Sequence, residues 1–176
     1  MRMTVFLVAA SIAVALAAAP AAQVKKGEIA GVRNFSRVDA TIGCAGATDP
    51  SAMAALKKEG FVSVINLRLA DETGADVPAG RAAAQAAGLK YIHLPFNAAA
   101  PDAKVVESFL AAVADRGNQP AFIHCGSANR VGAVWMIKRA VQDGWPIDKA
   151  RAEAEAIGLS SPQLVAFATT YINSHR

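Results

Sequence analysis

From Ala40 onward the chain alternates short apolar runs with segments whose apolar residues recur at helical spacing. Residues 41–45 form a first short strand. Asp49-Pro50 then supplies an N-cap and a first-turn proline for a helix carrying Met53 and Leu56, which Gly60 stops. Residues 61–67 read as a buried strand, because a run so short and so rich in apolar and β-branched side chains has no helical stripe. Residues 68–77 are polar and acidic, as a loop should be, and Pro78 opens an alanine-rich helix that ends at Gly88. Residues 89–94 make the next strand. After a loop at 95–101, Val106, Phe109, Leu110 and Val113 fall at i, i+3, i+4 and i+7, one stripe that must face a core. Residues 121–123 return to strand, and Val131, Val134, Ile137 and Val141 mark one face of the helix that follows, ended by Gly144. Two more helices close the chain: one capped by Asp148, the other by Ser161 with Pro162 behind it and striped by Leu164, Phe167, Ala168 and Tyr171. Strands alternating with helices predict an α/β fold, a mainly parallel central sheet flanked by helices.

The N-terminus follows a different pattern. Arg2 precedes an apolar run from Val5 to Ala19 that ends in small residues, the layout of a secretory signal. Cleavage after Ala21 places Ala19 and Ala21 where a signal peptidase reads small side chains, which divides the chain into a signal peptide, 1–21, and a single domain, 22–176. The run is alanine-rich, interrupted by Ser11 and Pro20, and weak beside the ~20 strongly apolar residues that span a bilayer. The expected product is periplasmic or secreted, with no stable membrane contact after cleavage.

Charge changes the picture little. The formal net charge is +4, one of those charges (Arg2) lies in the leader, and the rest are scattered without basic runs. That argues against nucleic-acid binding and is compatible with an anionic substrate. The two cysteines, Cys44 and Cys125, stand too far apart for a small-protein disulfide framework. The three histidines, His93, His124 and His175, have no metal-ligand spacing. No metal and no cofactor is expected.

The candidate chemistry is concentrated in His124-Cys125-Gly126-Ser127-Ala128-Asn129-Arg130, between the strand at 121–123 and its following helix. Ligands of parallel α/β sheets bind at the carboxyl ends of strands. Successive backbone N–H groups at such a turn form an anion-binding nest, and the helix adds its positive dipole end. The same field favours a thiolate over a thiol, which makes Cys125 a candidate nucleophile. Arg130 carries a planar guanidinium that can hold two oxygens of an oxyanion at once. The expected catalytic residues are therefore Cys125 and Arg130, with Gly126, Ser127, Ala128, Asn129 and Arg130 binding a phosphoryl-like anion.

Val64-Ile65-Asn66-Leu67-Arg68, Tyr91-Ile92-His93-Leu94-Pro95, the Cys125-to-Arg130 loop and residues 144–159 together resemble the cysteine-dependent tyrosine and dual-specificity phosphatase superfamily over residues 34–159. The nearest likeness is to a bacterial branch, the beta-lactamase-hydrolase-like phosphatase domain, whose loop has four residues between Cys and Arg, as here. The resemblance implies a phosphatase-like fold and hydrolysis of phosphate monoesters through a phosphocysteine on Cys125, with Arg130 and the loop amides stabilising the transition state and His124 orienting the loop. The substrate it implies is phosphorylated or otherwise anionic. Two positions depart from the pattern: Ala128 stands where the branch carries Gly, and Val131 where the superfamily carries Ser or Thr. Ala98 occupies the place of the superfamily's acidic residue. Asp102 is the nearest carboxylate, although its position equally suits a helix N-cap, and Asp71 and Glu72 are more remote candidates.

Two other readings stay open. A loop of this length also occurs in rhodanese-type sulfurtransferases, where it cradles a persulfide, although the Gly-Gly turn and Trp expected of those chains are missing. An inactive anion-binding module is the other, motivated by Ala98 and Val131. Cys44 is either a buried strand residue or a thiol able to pair with Cys125 under oxidation.

Overall fold

The computed structural model describes residues 24–176; the proposed signal peptide, 1–21, lies outside the described residues. The six-stranded sheet runs in the order β1 (Lys25–Lys26), β2 (Ser36–Arg37), β3 (Ile42–Ala45), β6 (Ala121–His124), β4 (Ser63–Asn66), β5 (Lys90–His93). The four strands from β3 to β5 are mutually parallel, and β1 and β2 add an antiparallel edge beside β3. A mainly parallel α/β sheet flanked by helices is thus what the chain forms.

Strand periodicity divides the core in two. Successive side chains leave a strand on opposite faces, so Cys44, Ile65 and Ile123 enter one apolar cluster while Ala45, Val64 and Phe122 enter the other. The first cluster lies beneath α3 (Ala103–Ala114), α4 (Asn129–Val141), α5 (Ile147–Ile157) and α6 (Pro162–Ser174). The second is covered by α1 (Met53–Lys58) and α2 (Val77–Ala86).

The helix starts follow from capping chemistry, with two corrections to the expected caps. Asp76 caps α2 by accepting from Ala79 N, Asp102 caps α3 by accepting from Lys104 N, and Ser161 caps α6 by accepting from Leu164 N. Asp148 is not the cap of α5: the helix begins at Ile147 behind Pro146, and Asp148 lies in its first turn, where a carboxylate still meets the positive dipole end. Asp49 precedes a 3-10 turn (Pro50–Ala52) without a side-chain capping bond, and α1 begins only at Met53.

The expected one-sided stripe on α4 is also corrected. Val131, Val134 and Ile137 are buried, but so are Ala133, Trp135, Met136 and Ala140 around the rest of the helix. Helices apolar on all sides belong inside a structure, and α4 runs between the sheet and the α5–α6 pair. Its N-terminus meets the end of β6 in the middle of the sheet. No helix among the described residues is long and apolar enough to cross a membrane.

Candidate active site

Because His124 is the last residue of β6, the two-residue period sends His124 and Cys125 to opposite faces of the sheet. Cys125 is fully buried in the cluster beneath α3–α6. His124 turns toward the α1–α2 side, where its ring stacks on Phe122 with centroids 5.9 Å apart. Both ring nitrogens of His124 lack a protein hydrogen-bond partner among the described residues. Burial, and then the positive charges of Arg68 and Arg130, push its pKa down to about 3, so the ring is neutral. Its carbonyl accepts from Leu67 N at 2.9 Å, which joins the start of the loop to the end of β4.

The loop from Cys125 to Arg130 is held from outside. Gly126 O accepts from Ala47 N at 3.0 Å, and Ser127 O accepts from Asn34 Nδ2 at 3.4 Å. In a planar trans peptide the C=O and the next N–H point opposite ways. Fixing these two carbonyls outward therefore turns the N–H groups of Ser127 and Ala128 toward the concave side. Asn34 itself is in the left-handed region, φ 51°, and also donates to Ile157 O at 3.3 Å, while Lys26 Nζ donates to its Oδ1 at 2.9 Å.

Ala128 adopts φ 77°, a conformation that costs a residue with a Cβ about 1–2 kcal/mol. That is the physical reason why glycine suits this position. The methyl group is accommodated because Gly158 faces it: a Cβ built on Gly158 would come 2.9 Å from Ala128 Cβ. Asn129 opens α4, but its side chain leaves the loop. It donates to Ser160 Oγ at 3.0 Å and accepts from the N–H groups of Ser160 and Ser161, tying the start of α6 to the site. Of the expected anion-binding residues, Gly126, Ser127, Ala128 and Asn129 can thus contribute backbone amides at the mouth of the 13-residue helix α4.

Arg130 laces together three strand ends. Its Nη1 donates to Leu67 O after β4 and to Phe96 O after β5, each at 3.3 Å. Its Nη2 donates to both carboxylate oxygens of Glu72, at 2.8 and 2.7 Å. Glu72 also accepts from Arg68 Nε at 3.1 Å and Leu69 N at 3.3 Å. Burial alone would raise the Glu72 carboxyl, but its bonds to Arg130 and the charges of Arg130 and Arg68 hold it below the usual glutamate range. Glu72 sits so close to the loop that a Cβ on Gly126 would meet its Oε1 at 2.8 Å, so a larger residue there would have to displace the carboxylate that Arg130 holds. Glu72, a remote proton-donor candidate in the sequence, is the partner of Arg130 in the fold.

Beside the loop opens a cleft of about 530 Å³, walled by Leu69, Ala98, Ala99 and Leu164 and by the polar Asn97, Ser161 and Gln163. Ala98 lines it together with Glu72 and Arg130. Asp102 is exposed and spent on the cap of α3. No group of three or more His, Cys, Asp or Glu side chains among the described residues could hold a metal ion.

Cys44 stands opposite Ile123 in the β3–β6 register, so Cys125 lies two residues further along the same face. Both thiols are free and buried. Diagonal neighbours on adjacent strands stand ~7–8 Å apart, at or beyond the ~7 Å between Cα atoms that a disulfide spans. Burial pushes the Cys44 thiol well above its usual range, keeping it protonated and a poor nucleophile.

No curated protein matches the chain in sequence. Among solved structures, the DUF442 protein of Shewanella putrefaciens is similar with a TM-score of 0.72 at 22% identity, over 82% of this chain and 95% of its own. TpbA of P. aeruginosa gives 0.67 at 21% identity, over 89% of this chain and 92% of its own; a TpbA variant is known in complex with pTyr. The core catalytic domain of the PP-IP phosphatase SIW14 from S. cerevisiae, in complex with citrate, gives 0.65 at 20% identity, over 84% of this chain and 93% of its own. The chain shares the fold of these three structures. The family described as beta-lactamase hydrolase-like protein, phosphatase-like domain, matches residues 34–142, from the segment before β2 through α4, and the chain belongs to that family.

Proposed function

We propose that this protein hydrolyses phosphate monoesters with Cys125 as nucleophile and Arg130 as the oxyanion clamp. The observation that carries the reading is the join of β6 to α4: a cysteine at the strand end, peptide carbonyls tied outward, and an arginine already oriented by Leu67 O, Phe96 O and Glu72. In its thiolate form Cys125 attacks phosphorus, the leaving oxygen departs, and water then cleaves the phosphocysteine. The backbone amides and the Arg130 guanidinium meet the equatorial oxygens where charge gathers. Val131 is buried in the first turn of α4 and brings no hydroxyl beside the sulfur, which favours a slow second step and accumulation of the phosphoenzyme.

The cleft supports a substrate of low charge. Arg130 is the one cationic side chain among the described residues that line it, Glu72 pairs with it, and the other lining residues are apolar or neutral. A single phosphoryl group on an aromatic or apolar body fits these surroundings, as in the pTyr bound by the TpbA variant; a substrate carrying many phosphates, such as SIW14's PP-IP, would need more cations. Export to the periplasm or the medium is part of the same reading and rests on the leader, 1–21, alone. The sulfurtransferase reading gains no support from the relatives.

Hydrolysis of para-nitrophenyl phosphate by residues 22–176 and by a Cys125→Ser variant, under reducing conditions, tests the proposal. Turnover that requires Cys125 is the expected result. Equal turnover in both proteins contradicts it, and no turnover in either leaves an anion-binding module as the better reading.

A further inference from the structure

Breaking a phosphate ester needs an attacking group, charge stabilisation at phosphorus and a fate for the leaving oxygen. The Cys125-to-Arg130 loop provides the first two, and its Ser127, Asn129 and Arg130 line the cleft. For the third, a proton donor must stand near the leaving oxygen, and general acids of this kind contribute typically 10²–10⁴-fold.

The titratable side chains that line the cleft, Glu72 and Arg130, are paired with each other, and Asp71, exposed on the loop beside Glu72, is not among the lining residues. Glu72, the one carboxylate among the described residues lining it, accepts four hydrogen bonds, from Arg130 twice, Arg68 and Leu69 N. All four favour the anion, which has no proton to give. His93 Nε2 is paired with Arg68 O at 2.8 Å. His124 is buried on the opposite face of the sheet, and Asp102 is the exposed cap of α3. The wall also includes Ala98 and Ala99, which follow Phe96, whose carbonyl holds Arg130.

We infer that this protein selects its substrates by the acidity of the leaving group: it cleaves phosphate esters of phenols and leaves those of alcohols, including serine, threonine and sugar hydroxyls, largely intact. The inference rests on the phosphatase reading above. In the first step the Cys125 S–P bond forms and the P–O bond breaks, its electron pair leaving with the oxygen as an oxyanion that takes its proton from solvent. In the second, water attacks phosphorus, the S–P bond breaks with its electrons returning to sulfur, and inorganic phosphate leaves. An acidic phenol can carry the charge of the first step unaided; an alcohol cannot. Ala98 is the position where a donor is missing. It is half-buried and lines the same cleft as Arg130, so a carboxylic acid there would project into the space beside the clamp.

The test uses kcat/KM, which covers every step up to departure of the leaving group and is blind to slow phosphoenzyme hydrolysis. The native domain is assayed on para-nitrophenyl phosphate, on less acidic phenyl phosphates and on an alkyl monoester. The expected result is a steep fall with leaving-group pKa, with the alkyl ester at least about 10²-fold below phenyl phosphate. Ala98→Asp should flatten that dependence, raising the alkyl ester about tenfold or more while para-nitrophenyl phosphate stays within a few-fold, and Ala98→Asn should not. A flat dependence in the native domain would overturn the inference whether or not the variants fold. A steep dependence that Ala98→Asp leaves unchanged would overturn the assignment of the missing donor to position 98. Failure of para-nitrophenyl phosphate itself to turn over through Cys125 is a separate outcome and sinks the phosphatase reading instead.

Discussion

Two loops leave the carboxyl edge of the same parallel sheet, one after β6 and one after β5, and they are furnished unequally. After β6, the carbonyls of Gly126 and Ser127 each have an outside donor, Ala128 accepts a left-handed backbone, and Asn129 pins the neighbouring helix start. After β5, Phe96 O steadies Arg130, Asn97 Oδ1 closes its own turn onto Ala99 N, and Asp102 is consumed by the α3 cap. In the proposed reading one loop holds an anion, and the other offers shape. Holding and attacking a phosphoryl group is therefore separable from delivering a proton to what leaves it.

The predictions follow that contrast from its strongest element outward. Cys125→Ser should lower phosphatase turnover by about 10⁴-fold or more while an inert phosphate analogue still binds, read by steady-state rates and calorimetry. Arg130→Lys keeps the charge but loses the fork that spans both loops. A fall in kcat/KM of about 10²–10³-fold is expected, and a near-normal value would mean that charge alone does the work.

The next effect concerns the support beneath the first loop. His124 is held neutral to about pH 3 when folded, against about 6.5 when unfolded. The unfolded state therefore binds the extra proton between these values, and its folded-state advantage erodes as pH falls through that window. The slope reaches about 1.4 kcal/mol per pH unit for a single group. Denaturant unfolding of His124→Gln across pH 7 to 4 should show a shallower decline than the native protein; parallel curves would deny the ring this role. The smallest effect is on the outer tie: Asn34→Gly keeps the left-handed backbone but removes the donor to Ser127 O. A loss of about tenfold in kcat is expected, equivalent to one modest hydrogen bond, and Asn34→Asp should be worse because it sets an acceptor against two carbonyls.

Much of this was legible in the sequence where the signal is local. The strands β3 to β6 show as short apolar runs, α3 and α6 as stripes, and the Cys125-to-Arg130 loop as a strand-to-helix turn with reactive residues. β1 and β2 were not visible, because two-residue strands carry no period and exist only through their partners. The Val131, Val134 and Ile137 stripe shows one apolar face of α4, and its full burial is hinted at only by Ala133, Trp135 and Met136 on its other sides. Glu72 escaped for a different reason: it meets Arg130 across 58 residues of sequence, and only the fold brings them together. The same holds for Asn34 and Ser127, 93 residues apart.

The central claim, that Cys125 carries the phosphoryl group, is tested most directly by rapidly acid-quenching the protein with para-nitrophenyl phosphate and measuring intact mass, with peptide mapping of the site. The account predicts a species heavier by one phosphoryl group, mapped to Cys125 and missing in Cys125→Ser. Release of para-nitrophenol with Cys125 unmodified, or with the group on another residue, would contradict it.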